Sequence, residues 1–538
     1  MRTYLPLFIA LALFVALALP RIGTTLGQDE ISHYYMLPRV IFENGYSKPD
    51  SLVAFSPHAY PLFVVAVCRI LGNDSVYAIR IAGVLLWMLC LICVYLESHR
   101  SPWVVFLSVV PAVLQASMIV EIDQTILPLA CLLQCIAFKH LQEKTDWRHF
   151  AFASMSMAFA LWCRLTTPVL LMIPIIICAA FSGELRRRRV LFACASIACG
   201  CAVFFATWLG YCRITGVDWQ WPFRYLLESF NDTTVGHRSS GLSRIVQSLA
   251  YLTLWGMLPA IWIVFLFDGW KRLKAFWKER VLLPQDIYWL GAFCILFGYM
   301  VIGGSLFGFP KYQMPAFPLL MLAVILKPKG GLKMPLAQYL GIAVFFAMLP
   351  LVCPDPIYLI RVVLKQFVLN GIPPMRIAIL IAMEMALLLL STCLMFKCRN
   401  VRHALLVSAF AFNFAFAVKQ NVAPYSTGYI YGEAGECAEI AEYISRGNKS
   451  AFVPAEIATL VNQNDYQGFA PSNWDDLDAL AARIRTEKPD IIACSLLINT
   501  MAQLKAINEH EPLVAELRSE YKCNKWGNVM VWERCEDR

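Results

Sequence analysis

The sequence predicts a mainly α-helical fold: a polytopic transmembrane bundle of about 13 spans, with amphipathic helices on its outer face and a small C-terminal α/β soluble domain. Three observations predict it. Of 538 residues, 59% are hydrophobic and 15% charged, at a mean hydropathy of +0.58, which is too apolar and too sparsely charged for a soluble domain. Apolar stretches long enough to cross a bilayer recur along most of the chain. From about Gln420 the composition turns to that of a soluble domain, dividing the chain into a membrane domain, 1–419, and an extracytoplasmic α/β domain, 420–538.

The expected spans are residues 4–22, 75–96, 102–120, 124–140, 149–164, 168–182, 190–211, 246–267, 285–303, 310–326, 334–352, 375–396 and 403–419. In the first, Arg2 precedes an apolar run and Ala16-Leu17-Ala18 resembles a signal-peptide cleavage site. We read it as an uncleaved span; either reading leaves Asp29 on the same side of the membrane.

The connections alternate in charge. Lys139, Lys144 and Arg148, then Arg186 to Arg189, Lys271 to Arg280, Lys327 to Lys333 and Lys397 to Arg402 fall on one side. The short turns near Glu121 and Gly303-Gly304 carry almost no cations. Under the positive-inside rule the basic side is cytoplasmic, so the N-terminus is inside and the C-terminal domain outside. A bacterial inner membrane with a periplasmic C-terminal domain is the expected setting; an endoplasmic reticulum would present the same geometry. The net charge of +9 lies largely in these connections, and no nucleic-acid partner is inferred from it.

Three longer segments fall outside. Residues 23–74 contain two amphipathic pieces, 31–42 and 60–71, expected to lie at the interface. Residues 214–244 carry Trp219, Trp221, Phe223 and Tyr225, suited to the headgroup level. Residues 354–374 are bounded by prolines. Together they are expected to roof a cavity on the outer face.

In the outer domain, Ser472-Asn473-Trp474-Asp475 is expected to cap a helix bearing Leu477, Leu480, Ala481 and Ile484. Pro489-Asp490 ends it, and 450–453, 491–495 and 529–533 read as strands, with a second helix over about 499–521. Cys523 and Cys535 flank a plausible turn and are read either as a pair or as free thiols. The cysteines in apolar runs, such as Cys131 and Cys135, read as small buried hydrophobes.

Chemistry concentrates on the outer side. Asp29 and Glu30 follow the first span directly, where charge is costly unless paired or solvated; an ordinary acidic helix start is the alternative. Glu121 and Asp123 form a second acidic pair, also expected outside. Arg80, Arg164 and Lys311 are cations where the positive-inside rule would not put them, well placed to hold a phosphate or diphosphate. Two acidic pairs also suit a divalent ion, and no other cofactor is required. His33 reads as an interfacial hydrogen-bonding residue rather than a ligand or base.

These residues resemble a family. Asp29-Glu30 after a short first span, Pro61-Leu62 with Leu71-Gly72, Ala78-Ile79-Arg80, Asp123, Arg164 where the family often has Lys, and Lys311-Tyr312-Gln313-Met314-Pro315-Ala316-Phe317-Pro318 occur in the order found in the C-type glycosyltransferases. These are membrane enzymes using polyprenyl-phosphate sugars, among them aminoarabinose transferases acting on lipid A and protein O-mannosyltransferases. The resemblance covers about residues 1–330, and the remainder in architecture only. One departure is that the aminoarabinose branch usually has Lys-Pro-Pro where this chain has Ser56-Pro57-His58-Ala59-Tyr60-Pro61, which leaves sugar and acceptor open.

The resemblance implies inverting transfer of a sugar from a polyprenyl-phosphate donor to a lipid, glycan or protein acceptor on the outer face. Asp29 would be the base, with Glu30 or Asp123 orienting the acceptor or the base. Lys311 and Arg164, with Arg80, would stabilise the leaving phosphate, and Glu121 and Tyr312 would join them in binding substrate. The rival readings are a lipid-linked glycan transporter or flippase and a polysaccharide polymerase or ligase.

Overall fold

The computed structural model describes residues 4–22, 34–47, 49, 52, 56–231, 259–302, 311–326, 335–352, 401–422, 434–453, 455–458, 461, 477–495, 509–526 and 529–535. Asp29, Glu30 and His33, the proline-bounded segment 354–374 and the expected span 375–396 lie outside them.

Apolar runs become helices even where they carry an internal proline or glycine, such as Pro174 in Thr166–Ala180 and Gly83 in Val76–Glu97. Leu5–Ala18 (α1) is followed by Met36–Asn44 (α2), which overlaps the expected amphipathic piece 31–42, and Ala59–Leu71 (α3), which matches the piece 60–71. Gly72 ends α3 at φ +72°, a left-handed conformation that favours glycine, and its amide donates to the Cys68 carbonyl. Val76–Glu97 (α4) begins at a Ser75 cap whose hydroxyl accepts from the Ala78 amide.

The next stretch departs from expectation. In place of one span over 102–120 there is a 3-10 segment, Pro102–Val109, and a short helix, Pro111–Ala116 (α5), broken by Pro111. Non-helical backbone follows as far as Thr125 before Ile126–Glu143 (α6) begins. Residues 106–132 are all buried, and that burial inside protein is what permits irregular backbone within an apolar bundle.

Trp147–Cys163 (α7) and Thr166–Ala180 (α8) are two separate helices, as expected, and Arg186–Thr215 (α9) is one long one. Trp221–Asn231 (α10), Pro259–Glu279 (α11) and Asp286–Ile302 (α12) follow. The expected span 310–326 is a 3-10 turn, Lys311–Gln313, and a ten-residue helix, Ala316–Ile325 (α13), buried throughout. At 1.5 Å per residue α13 runs only about 15 Å, half a hydrocarbon core. Leu336–Val352 (α14) and Val401–Val422 (α15) complete the bundle. Among the described residues two helical stretches, Val76–Glu97 and Gly183–Thr215, are long and apolar enough to cross a membrane, beside seven shorter apolar helices. Leu89, Met155, Ile173, Leu209, Phe297 and Phe345 face outward from different helices, which suits a bundle whose solvent is lipid.

Two features fix the ends of this bundle. Glu97, at the end of α4, accepts from Lys139 Nζ and Tyr288 Oη, both at 2.8 Å, and contacts His140 at 3.2 Å. Lys139, read as an exposed cytoplasmic cation, is thus a buried clasp between α4, α6 and α12. Toward the other end, a Cβ on Gly83 would collide with the Ser117 carbonyl oxygen, and Trp87 Nε1 donates to the Gln124 carbonyl at 2.8 Å. The absence of a side chain at Gly83 lets α4 press against the irregular 117–125 segment. Gly83→Ala is expected to cost about 1–3 kcal/mol, because the collision is with backbone that has no rotamer to yield. Thermal unfolding in detergent would measure it, and an unchanged midpoint would mean that the segment can retreat.

In the C-terminal segment the expected strands form: β1 (Ala451–Phe452), β2 (Ile491–Ser495) and β4 (Val529–Arg534). A fourth, β3 (Tyr521–Trp526), was not expected. The sheet order is β1-β2-β4-β3, with β1 parallel to β2 and β4 antiparallel to both neighbours. Ile440, Ile444 and Ile457 pack on one face with Ile491 and Val531. Leu480, Ile484, Leu513 and Leu517 cover the other, against Phe452, Ile492 and Trp532. The last helix, read over 499–521, is described over Glu511–Glu520. β3 is an edge strand, so Lys522, Cys523 and Asn524 lack the apolar alternation that identifies a strand. Cys523 and Cys535 are free: Cys523 pairs with Trp532, and Cys535 lies three residues further along, roughly 10 Å and beyond disulfide reach. Cys90 and Cys93, although spaced C-x-x-C in α4, are free thiols as well.

Candidate active site

The second acidic pair and two of the unexpected cations meet. Glu121 and Asp123 stand on the non-helical backbone that Trp87 holds from α4. Arg164 occupies the joint between α7 and α8 with extended backbone, φ −161° and ψ 146°. Lys311 is in the 3-10 turn that precedes α13. Because none of the four sits inside a regular helix, loops from three places in the chain converge on one point.

Lys311 Nζ lies 2.5 Å from Glu121 Oε1, with side-chain exposures of 8% and 2%. Arg164 Nη1 donates to Asp123 Oδ2, whose side chain is 1% exposed. Buried charges are tolerated only when paired, so the two acids and two cations form an internally neutral cluster. Gln124 Nε2 donates to Glu121 Oε2 at 2.6 Å, turning the carboxylate towards Lys311. Asp123 Oδ1 is buried with no hydrogen-bond partner among the described residues, leaving one lone-pair site for a substrate hydroxyl.

Aromatic rings complete the cluster. The Tyr312 ring centroid lies 5.4 Å from the Arg164 guanidinium carbon and 5.3 Å from Lys311 Nζ. Tyr299, from α12, stacks on Tyr312 at 5.4 Å and 16°. Tyr34, just before α2, is buried and meets Tyr60 of α3 edge-on at 6.4 Å. Burial, together with the charges of Glu121 and Asp123, pushes the Tyr34 hydroxyl well above its usual range and keeps it a donor. That places the residue five positions after Asp29 within the field of the cluster.

Arg80 is placed differently: fully buried, it donates from Nη1 to the Ile22 carbonyl at 2.6 Å. It thus secures the chain where α1 gives way to the stretch bearing Asp29 and Glu30. Arg21, which no sequence argument singled out, is also buried and donates to Gln115 Oε1 at 3.3 Å and Asn421 Oδ1 at 3.1 Å, joining the ends of α1, α5 and α15. Where the Lys-Pro-Pro departure falls, His58 is buried and its Nδ1 lies 2.8 Å from Tyr211 Oη; burial lowers its pKa to about 4, so it is neutral. Among the described residues no three His, Cys, Asp or Glu side chains cluster as a metal site.

The sequence reading missed Tyr34, Tyr299, Thr166, Thr167 and Gln124. Only the threonines carried a signal, as paired hydroxyls beside Arg164 at the start of a span.

The architecture has relatives among solved structures. ArnT from Cupriavidus metallidurans, solved bound to undecaprenyl phosphate, aligns over 98% of this chain and 97% of its own, at 14% identity and a TM-score of 0.59. The Archaeoglobus fulgidus oligosaccharyltransferase AglB, in complex with an inhibitory peptide and a dolichol-phosphate, aligns over 100% of this chain and 74% of its own, at 12% identity and a TM-score of 0.43. The Archaeoglobus fulgidus oligosaccharyltransferase tethered to an acceptor peptide gives 10% identity and 0.46, over 99% and 74% of the two chains. No family model matches the chain, and no curated protein matches it in sequence. At the level of architecture the chain shares the fold of ArnT, a fold in keeping with the resemblance read from the sequence.

Proposed function

We propose that this chain is a membrane glycosyltransferase that moves a sugar from a polyprenyl-phosphate donor to a lipid, glycan or protein acceptor on the extracytoplasmic face, with inversion. The observation that carries the reading is the group of Lys311, Arg164 and Tyr312, assembled beside the buried Glu121 and Asp123 from distant parts of the chain. A buried Lys311 and a partly buried Arg164, its side chain 21% exposed, are costly to maintain, and phosphate binding is a reason to maintain them. ArnT, which shares the fold, was solved with a polyprenyl phosphate.

In this mechanism Asp29 takes the proton of the acceptor hydroxyl as its oxygen attacks the anomeric carbon. The bond from that carbon to the phosphate oxygen breaks, and its electron pair leaves with the lipid phosphate. Lys311 and Arg164 stabilise the charge gained by the phosphate, exchanging part of their contact with Glu121 and Asp123 for it. Asp123 Oδ1 accepts a hydrogen bond from the acceptor, and Arg80 braces the chain that carries Asp29 and Glu30. A hexose or a pentose would satisfy this scheme equally. The setting is a bacterial inner membrane, the N-terminus cytoplasmic and residues 420–538 a periplasmic domain above the cavity.

The test is a panel of radiolabelled polyprenyl-phosphate sugars presented to the purified protein with membrane extract. Label appearing in a new glycosidic bond supports the transferase. Labelled lipid crossing a proteoliposome membrane unchanged, with no transfer, would replace it with a transporter.

A further inference from the structure

Arg164 has a long, flexible side chain at the C-terminal cap of α7, where its amide donates to the Ala160 carbonyl at 3.0 Å and its backbone turns extended. Three contacts place its guanidinium: Asp123, the Tyr312 ring, and Thr166, whose Oγ1 accepts from Arg164 Nε at 3.1 Å. A bound phosphate would compete with Asp123 for the guanidinium. The remaining two contacts would then have to keep the fork oriented.

Both depend on one residue. Tyr299 Oη lies 2.6 Å from Thr167 Oγ1 and 3.3 Å from Thr166 Oγ1, while its ring stacks on Tyr312. The contacts form a closed circuit, Arg164 to Thr166 to Tyr299 to Tyr312 and back to Arg164. Thr167 and Tyr299 are buried, at 0% and 7% exposure, so solvent does not readily substitute for the Tyr299 hydroxyl.

We infer that Tyr299 is a positioning residue for lipid-phosphate recognition: its hydroxyl locks the Thr166-Thr167 pair and its ring backs Tyr312, fixing the direction in which Arg164 meets the phosphate. This rests on the proposed function, since it takes Arg164 as a phosphate ligand. A residue that merely packed α12 against α8 would affect stability alone.

Binding of undecaprenyl phosphate and donor turnover are measured side by side for wild type, Tyr299→Phe, Thr167→Val and Thr167→Ser. Tyr299→Phe keeps the stacked ring and loses the hydroxyl. It is expected to weaken undecaprenyl phosphate binding and raise the donor KM about five- to tenfold, with kcat also lowered, about two- to fivefold, because Arg164 stabilises the leaving phosphate as well as holding it. Thr167→Val is expected to do the same and carries the test should Tyr299→Phe not fold, whereas Thr167→Ser restores wild-type values. Wild-type affinity and KM in both Tyr299→Phe and Thr167→Val, even with a lowered unfolding temperature, would overturn the inference and leave the transferase reading intact. Weakened lipid-phosphate binding in a protein that transfers no sugar would sink the transferase reading while the role of Tyr299 stands. A wild type that neither binds nor transfers sinks both.

Discussion

Asp29→Asn is expected to reduce sugar transfer about 100- to 10,000-fold, the usual contribution of a general base, with polyprenyl-phosphate binding unchanged within about twofold. Asn matches the carboxylate in size but cannot take a proton, so the acceptor hydroxyl would have to attack unassisted. Binding should survive because the phosphate is held by Lys311 and Arg164, not by Asp29. The acid limb of the kcat/KM profile, which reports the base losing its charge, should disappear with the residue. Glu30→Gln, by comparison, should cost less and mainly raise the acceptor KM. Retention of more than about a tenth of the activity in Asp29→Asn, well outside the range for a lost base, would move that role to Glu30 or Asp123.

Lys311→Ala is expected to act twice. Transfer should fall about 100- to 1,000-fold, the cost of removing one preorganised group that stabilises developing charge. Stability should fall as well, by about 3–5 kcal/mol, because Glu121 is left charged and buried without its partner. The two effects separate in the double variant Lys311→Ala/Glu121→Gln, which removes the orphaned charge. Its unfolding midpoint in detergent should recover most of the loss while transfer remains low. If activity returns with stability, Lys311 serves only to neutralise Glu121, and the phosphate binds elsewhere.

The difference between what was legible and what was not is visible in particular residues. The helices over 76–97 and 186–215 followed from apolar length, and α3 from amphipathic spacing. The stretches 102–120 and 311–326 are as apolar as these, yet they form short, broken, largely buried pieces. Hydropathy reports that a segment avoids water; it does not distinguish lipid from the inside of a bundle. Pro111, Pro315 and Pro318 were the local sign of that difference. Strand β3 was hidden for the opposite reason, since at the edge of the sheet most of Tyr521–Trp526 is exposed or half-buried and only its two ends, Tyr521 and Trp526, are large apolar residues.

The sequence by itself pointed to a mainly helical, lipid-compatible bundle followed by an α/β segment, and singled out Glu121, Asp123, Arg164 and Lys311 as charges out of keeping with apolar surroundings. These are local properties, since hydropathy, proline placement and charge are carried by neighbouring residues. Only the tertiary structure decided which charges meet. It pairs Lys311 with Glu121 and Arg164 with Asp123, sends Arg80 to the Ile22 carbonyl, and brings Tyr299 under Tyr312. The physical reason is that burying a charge requires a partner, and the partner is chosen by how helices far apart in sequence pack, where hydrophobic periodicity carries no information.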